Sequence, residues 1–206
     1  AAHVGIISEN RVEWVLAQMG CGLVGAVAVG VYPTSPAPEV SYVLAHADVE
    51  VVVCEDQEQA DKVAESLHEL PRLKRVVVIE KDGFRNTDPR IADMAVTFDD
   101  VEAAGRKFEP QHADLINDVL AQQTMDDIAL MIYTSGSTGK PKGAMISYGN
   151  IHGVAPGIIE RLRLTAQSSH LSYLPLCHVA EQMLTTFAPI YLGSLVNFGE
   201  SIRTVK

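Results

Sequence analysis

The residues best equipped for chemistry lie between Thr134 and Gly143. There Thr-Ser-Gly-Ser-Thr-Gly-Lys-Pro-Lys-Gly sets four small hydroxyls, three glycines and two lysines in ten positions. Glycines let a backbone curl until successive N–H groups point into one concavity, which suits a phosphate. Hydroxyls add neutral donors, and Lys140 and Lys142 add positive charge. Ser, Gly and Lys also make ordinary solvated hairpin turns. The density of hydroxyls, with two lysines around one proline, favours the phosphate cradle over the turn.

Spacing excludes the loop of the common nucleoside triphosphatases. That loop needs two glycines five apart, followed by Lys and Ser or Thr at the start of a helix. Here Gly136 is followed five residues later by Pro141. Apolar Ile128–Tyr133 leads in and Ala144–Ile146 leads out, so the local reading is strand, loop, strand. The stretch resembles the phosphate-loop signature of the adenylate-forming superfamily, which holds acyl-CoA synthetases, luciferases and the adenylation domains of peptide synthetases. All twelve positions from Met131 to Lys142 fit that pattern: an apolar start, Thr-Ser-Gly-Ser-Thr-Gly, then Pro-Lys.

A second segment, Tyr173-Leu-Pro-Leu-Cys-His-Val-Ala-Glu181, reads on its own as a strand end, a proline turn and a helix cap. An isolated His178 there is ordinarily a satisfied near-surface residue. The segment is similar to the Leu-Pro-Leu-x-His stretch beside the acyl and adenylate pocket of acyl-CoA synthetases. Its wording is most like that of bacterial long-chain fatty acid–CoA ligases, and Val4–Trp14 also looks like that family's early segment.

The resemblance implies attack of a fatty carboxylate on the α-phosphorus of ATP, giving an acyl-adenylate and pyrophosphate, and then thioester formation with coenzyme A. It assigns Thr134, Ser135, Ser137, Thr138 and the N–H groups of Gly136 and Gly139 to the β- and γ-phosphates. Lys142 is preferred over Lys140 as charge partner, because the family fixes a basic residue there. His178 shapes the acyl pocket, and Mg²⁺ bridges phosphate oxygens. The family's later ribose-binding and Tyr-Gly-x-Thr-Glu segments, and its C-terminal domain with the adenylation lysine, are not found downstream of His178. Residues 1–206 are thus expected to be part of the N-terminal AMP-binding domain, inactive alone. Two alternatives stay open: another adenylate-forming enzyme, such as an amino-acid adenylation domain or aryl-CoA ligase, and a non-catalytic nucleotide-binding module.

The elements that must position these residues follow an α/β pattern. Strands are expected at Val4–Ile7, Ala26–Val31, Glu50–Cys54 and Arg75–Ile79, alternating with helices. Such alternation predicts βαβ units, a largely parallel sheet and flanking helices. Asn10 with Glu13 suggests a capping box for the first helix, whose inward face is read as Val12, Val15, Leu16, Met19 and Leu23. Another helix spans Glu39–His46, and Asp56 caps one running to Leu70, where Pro71 stops it. Residues 81–110 look irregular, with one short strand at Ala95–Phe98, and a subdomain division is expected within 81–125. Past Asp114–Gln122 and the loop, Asn150 is read as capping a helix to Leu162, kinked at Pro156. Ser169–Tyr173 and Leu195–Phe198 are strands around a helix from Val179 to Tyr191, disturbed at Pro189.

Composition adds bounds. A net charge of −10 argues against a nucleic-acid surface. Cys21, Cys54 and Cys177 are odd in number and widely spaced, which suits reduced thiols in a cytoplasmic protein. Cys177 and His178 are neighbours on an extended segment and so face opposite ways, which argues against a nucleophile–base dyad. Trp14–Tyr32 is nearly long enough to span a bilayer, yet reads better as a helix followed by a buried strand. Glu9, Arg11 and Glu13 interrupt what a signal peptide would need. Peripheral contact at the inner membrane face is compatible with a fatty substrate.

Overall fold

The computed structural model describes residues 1–80, 87–134 and 139–199. The chain opens with β1 (His3–Ile7), α1 (Val12–Leu23), β2 (Val27–Val31), α2 (Ala37–His46), β3 (Val51–Cys54), α3 (Gln57–Glu65) and β4 (Arg75–Val78). These Val- and Ile-rich strands pair in parallel, as runs buried on both faces do. Ile6, Ile7, Val29, Val52 and Val76 are completely buried. After β5 (Ala95–Thr97), α4 (Phe98–Phe108) and α5 (Leu115–Gln122) come the two strands that flank the phosphate loop, β6 (Ile128–Thr134) and β7 (Lys142–Ser147). All seven strands form one sheet in the order β5-β4-β3-β1-β2-β6-β7, parallel except for β7. α6 (Tyr148–Leu162) follows, and then a second, two-stranded parallel sheet of β8 (Ser169–Ser172) and β9 (Leu195–Phe198). The expected α/β class and mostly parallel sheet are what the chain adopts.

Several local expectations need correction. Asn10 does not cap α1; Arg11 occupies that position without a side-chain cap, and Arg11 pairs with Glu13 at 2.9 Å. α1 buries Trp14, Gln18 and Cys21, whereas Val12 and Leu16 are about half exposed at 53% and 49%. A polar residue on the inner face explains the misreading: Gln18 donates to Gln182 Oε1 at 2.8 Å, so its burial is paired. Residues 98–108 form α4 rather than irregular chain, started by a reciprocal box in which Thr97 and Asp100 cap each other. In α6 the cap is Ser147, and Asn150 is its partner three residues on. Asp56 caps α3 as expected, accepting from Gln59 N–H at 3.1 Å, although α3 gives way to a 3₁₀ turn at Leu67–Glu69.

The helix after His178 is continuous but not uniform. α7 (Val179–Glu181) passes into a π-helical stretch, Gln182–Phe187, and then α8 (Ala188–Leu192). The irregularity lies just upstream of Pro189, which has no N–H to offer the preceding turn. Gly193, at φ 68°, ends the helix in a left-handed conformation that suits glycine. The apolar run from Trp14 onward resolves into α1 and β2, and among the described residues no helix is long and apolar enough to cross a membrane.

Candidate functional site

Parallel sheets bind ligands beyond the carboxyl ends of their strands, because the loops there can converge without disturbing the core. The carboxyl end of β6, at Thr134, lies at that edge, beside the end of β2. Thr134, the last residue of β6, is exposed and sits opposite Lys142, the first residue of β7. The two limbs of the loop therefore start as partners on one rung of the β6–β7 ladder. Gly139 has φ 135°, a backbone state that L side chains rarely adopt, and a Cβ there would meet no other atom within 4 Å. Conformation rather than space requires glycine at that turn. Ser135, Gly136, Ser137 and Thr138 lie outside the described residues.

The second segment reaches the same edge through two devices. Gly30 in β2 lets the backbone of Cys177 approach; a Cβ at Gly30 would lie 2.9 Å from the Cα and Cβ of Cys177. Asn10 then staples the segment down. Its side-chain amide donates to Ser172 Oγ at 2.8 Å and to the Leu174 carbonyl at 2.6 Å, and its Oδ1 accepts from Leu176 N–H at 2.9 Å. Sequence reading placed Asn10 in a helix cap; its partners lie more than 160 residues away.

These contacts bring Thr134 and His178 onto one cavity of about 310 Å³, walled further by Tyr32, Glu39, Tyr133 and Pro141. Tyr32 and Glu39 were not foreseen as wall residues, since nothing in their local sequence signals that position. His178 is exposed, and its Nδ1 accepts from Ala180 N–H at 3.3 Å, capping α7. In the neutral ring this acceptor role leaves the proton on Nε2. Immediately past His178 an apolar groove of about 740 Å³ runs between α6 and α7, lined by Val154, Ile158, Leu162, Val179, Met183 and Leu184. His178 thus lines the cavity that holds Thr134, and the next residue, Val179, lines the apolar groove.

Cys177 is no nucleophile. It is buried, and burial pushes its thiol up to about 12 in spite of a hydrogen bond with Tyr32. Cys21 is pushed up to about 12 for the same reason, and all three cysteines are free and buried. Away from the loop, Arg11 bridges Glu13, Glu55 and Glu80 at 2.9–3.3 Å. Among the described residues no three His, Cys, Asp or Glu side chains converge to hold a metal ion.

The sheet is α/β and mostly parallel, and the glycine- and hydroxyl-rich segment of the sequence follows the carboxyl end of β6. Residues 1–204 match the family of AMP-binding enzymes, and the chain belongs to that family. It is 32% identical over 200 residues to the human long-chain-fatty-acid–CoA ligase ACSBG2, covering 96% of this chain and 29% of that protein. Against mouse long-chain-fatty-acid–CoA ligase 6 the identity is 29% over 211 residues, covering 98% and 29%. The chain therefore spans less than a third of the length of these relatives. Among solved structures, the anthranilate CoA ligase AuaEII in complex with anthranoyl-AMP superimposes with a TM-score of 0.76 at 23% identity, over 99% of this chain and 36% of that one. ATP-bound MatB from Rhodopseudomonas palustris gives 0.68 at 19%, over 97% and 35%. The fold is that of the N-terminal domain of adenylate-forming enzymes.

Proposed function

We propose that the whole protein containing this chain activates a long-chain fatty acid with ATP and passes it to coenzyme A. One fatty carboxylate oxygen bonds to the α-phosphorus as the bond to the pyrophosphate oxygen breaks. The coenzyme A thiol sulfur, having lost its proton, then bonds to the acyl carbon and AMP leaves. The observation that carries this reading is that consecutive residues serve two different hollows: His178 shares a cavity with Thr134, and Val179 lines an apolar groove. Phosphates and an aliphatic chain need opposite surroundings, and the reacting carboxylate belongs at their junction.

In this reading Thr134, Ser135, Gly136, Ser137, Thr138, Gly139 and Lys142 hold the β- and γ-phosphates. Charge gathers on the departing pyrophosphate, so these donors act chiefly by positioning and electrostatic stabilisation. His178 shapes the head of the acyl site, and the groove takes the chain. Magnesium would arrive as counter-ion of the ATP phosphates. Residues 1–206 serve as part of the N-terminal domain, and the activity is that of the whole protein. Buried free thiols and a net charge of −10 suit a cytoplasmic protein, peripheral at the inner membrane face where fatty acids dissolve.

The test is ATP–pyrophosphate exchange by the whole protein with palmitate, benzoate or amino acids as the acid. Exchange is expected with palmitate alone. Lys142→Met should lower it roughly 10- to 100-fold, the effect of losing one charge-assisted hydrogen bond. Exchange with benzoate or an amino acid, and none with palmitate, would move the protein to another branch of the family.

A further inference from the structure

Helix α2 touches both limbs of the phosphate loop, and no sequence pattern announces it. Tyr42 and His46 stand four residues apart, hence on one face of α2. His46 Nδ1 and the Tyr133 hydroxyl are hydrogen-bonded at 2.7 Å, with the two rings edge to face at 87°. Tyr133 is the residue before Thr134, so this bond ties down the leading limb. Tyr133 is itself buried, and its ring packs where a Cβ on Gly143 would lie only 3.0 Å away. One turn earlier in α2, the Tyr42 hydroxyl donates to the Pro141 carbonyl at 3.1 Å, and Lys140 Nζ lies 4.9 Å from the centre of the Tyr42 ring. These two contacts tie down the trailing limb. The neighbouring face of α2 supplies Glu39 and Val43 to the cavity wall beside Tyr133 and Pro141.

We infer that Tyr42 and His46 are positioning residues that hold the two loop limbs, Tyr133–Thr134 and Lys140–Pro141, in place for ATP. Neither touches the reacting atoms; Tyr42 acts through Pro141 and Lys140, and His46 acts through Tyr133. Lys140 thereby gains a role distinct from that of Lys142: it lies over an aromatic face and braces the turn. Holding a loop in its bound conformation improves affinity by removing the entropy of ordering it on binding. The inference rests on the functional reading above for its connection to ATP, but the anchoring itself is a property of the unliganded chain.

Two measurements on the whole protein separate these parts. In hydrogen–deuterium exchange without ligand, Tyr42→Phe should speed exchange of the amides at 139–143 about fivefold and leave Tyr133 and Thr134 unchanged, the effect of one lost hydrogen bond. His46→Ala should do the reverse, and His46→Gln, which restores a polar partner for the Tyr133 hydroxyl, should recover most of the protection. In turnover assays each single variant should raise the ATP concentration for half-saturation about fivefold, and the double variant further but less than about 25-fold, because the two ring centres lie only 5.4 Å apart, with kcat within twofold of the parent. Unchanged exchange in both limbs, or a uniform rise across the sheet, overturns the anchoring. Altered exchange with unaltered ATP half-saturation overturns its link to nucleotide binding. Should the parent protein not use ATP at all, the functional reading falls, and the exchange data still decide whether α2 holds the limbs.

Discussion

β2 and β7 belong to the same sheet, yet every residue of β2 is buried and none of β7 is. The same contrast separates β3 and β4 from β8 and β9; the former are buried almost throughout, and the latter are exposed or half-exposed except at Ser172. Strands covered on both faces gain stability from apolar area removed from water, at about 25 cal/mol per Å². Strands at an edge leave polar groups free for a ligand and apolar ones such as Met145 and Leu195, both 62% exposed, uncovered. The buried strands β1–β4 are thus scaffold, and the candidate site lies beyond their carboxyl edge, walled by Tyr32 and Glu39 as well as by Tyr133, Thr134 and His178. Substitutions should divide the same way, stability on one side and ligand use on the other.

Trp14→Ala applies the largest force to that division. Trp14 is 1% exposed and packs in the cluster with Ile6, Ala28 and Leu176. Its loss should cost about 4 kcal/mol, the range for truncating a buried aromatic residue. Urea denaturation reads the cost. On the fraction that remains folded, ATP half-saturation should stay within twofold of the parent. A larger shift would mean that the scaffold tunes the site as well as supporting it.

The division also explains what the sequence disclosed. The loop and its flanking strands were legible, because an apolar run, a hydroxyl-glycine cluster and a second apolar run are all local signals. So was the alternation of β1 to β4 with helices. α4 was missed because it lies in a stretch rich in charged residues and buries none of its own, although Phe98, Val101 and Phe108 recur at helical spacing. The inner face of α1 was misassigned because Gln18 and Cys21 occupy it in place of the more hydrophobic Leu16 and Leu23. At the site, Thr134 and His178 could be named from their motifs, but Tyr32, Glu39 and Asn10 could not. Their roles come from contacts made only once the sheet has formed.

Asn10 is where the two regions meet. It lies on the scaffold, just after β1, yet all three of its strong hydrogen bonds go to the segment that carries His178. Asn10→Ala should cost about 2 kcal/mol, since the buried Leu176 amide loses its acceptor. It should also raise the fatty acid concentration for half-saturation about tenfold by freeing the His178 segment. Asn10→Asp keeps the acceptor for Leu176 N–H and loses the donors, so it should restore part of the stability. If the alanine variant lost stability with no change toward the fatty acid, the staple would be scaffold only.

The smallest effect gives the sharpest control. Asp56 follows β3 at the same carboxyl edge of the sheet as the loop, but its side chain is used within the scaffold, capping α3 through Gln59 N–H at 3.1 Å. Asp56→Ala should cost about 1 kcal/mol, the usual loss for an N-cap, and Asp56→Ser should recover most of it because a hydroxyl can accept the same bond. Neither variant should alter ATP or fatty acid half-saturation. The comparison matters because Asp56 shares its edge with the site and its energetics with the scaffold. A change in ligand use on losing this cap would show that proximity to the edge sets a residue's role. An effect confined to stability would show that the role is set by which strands its element covers.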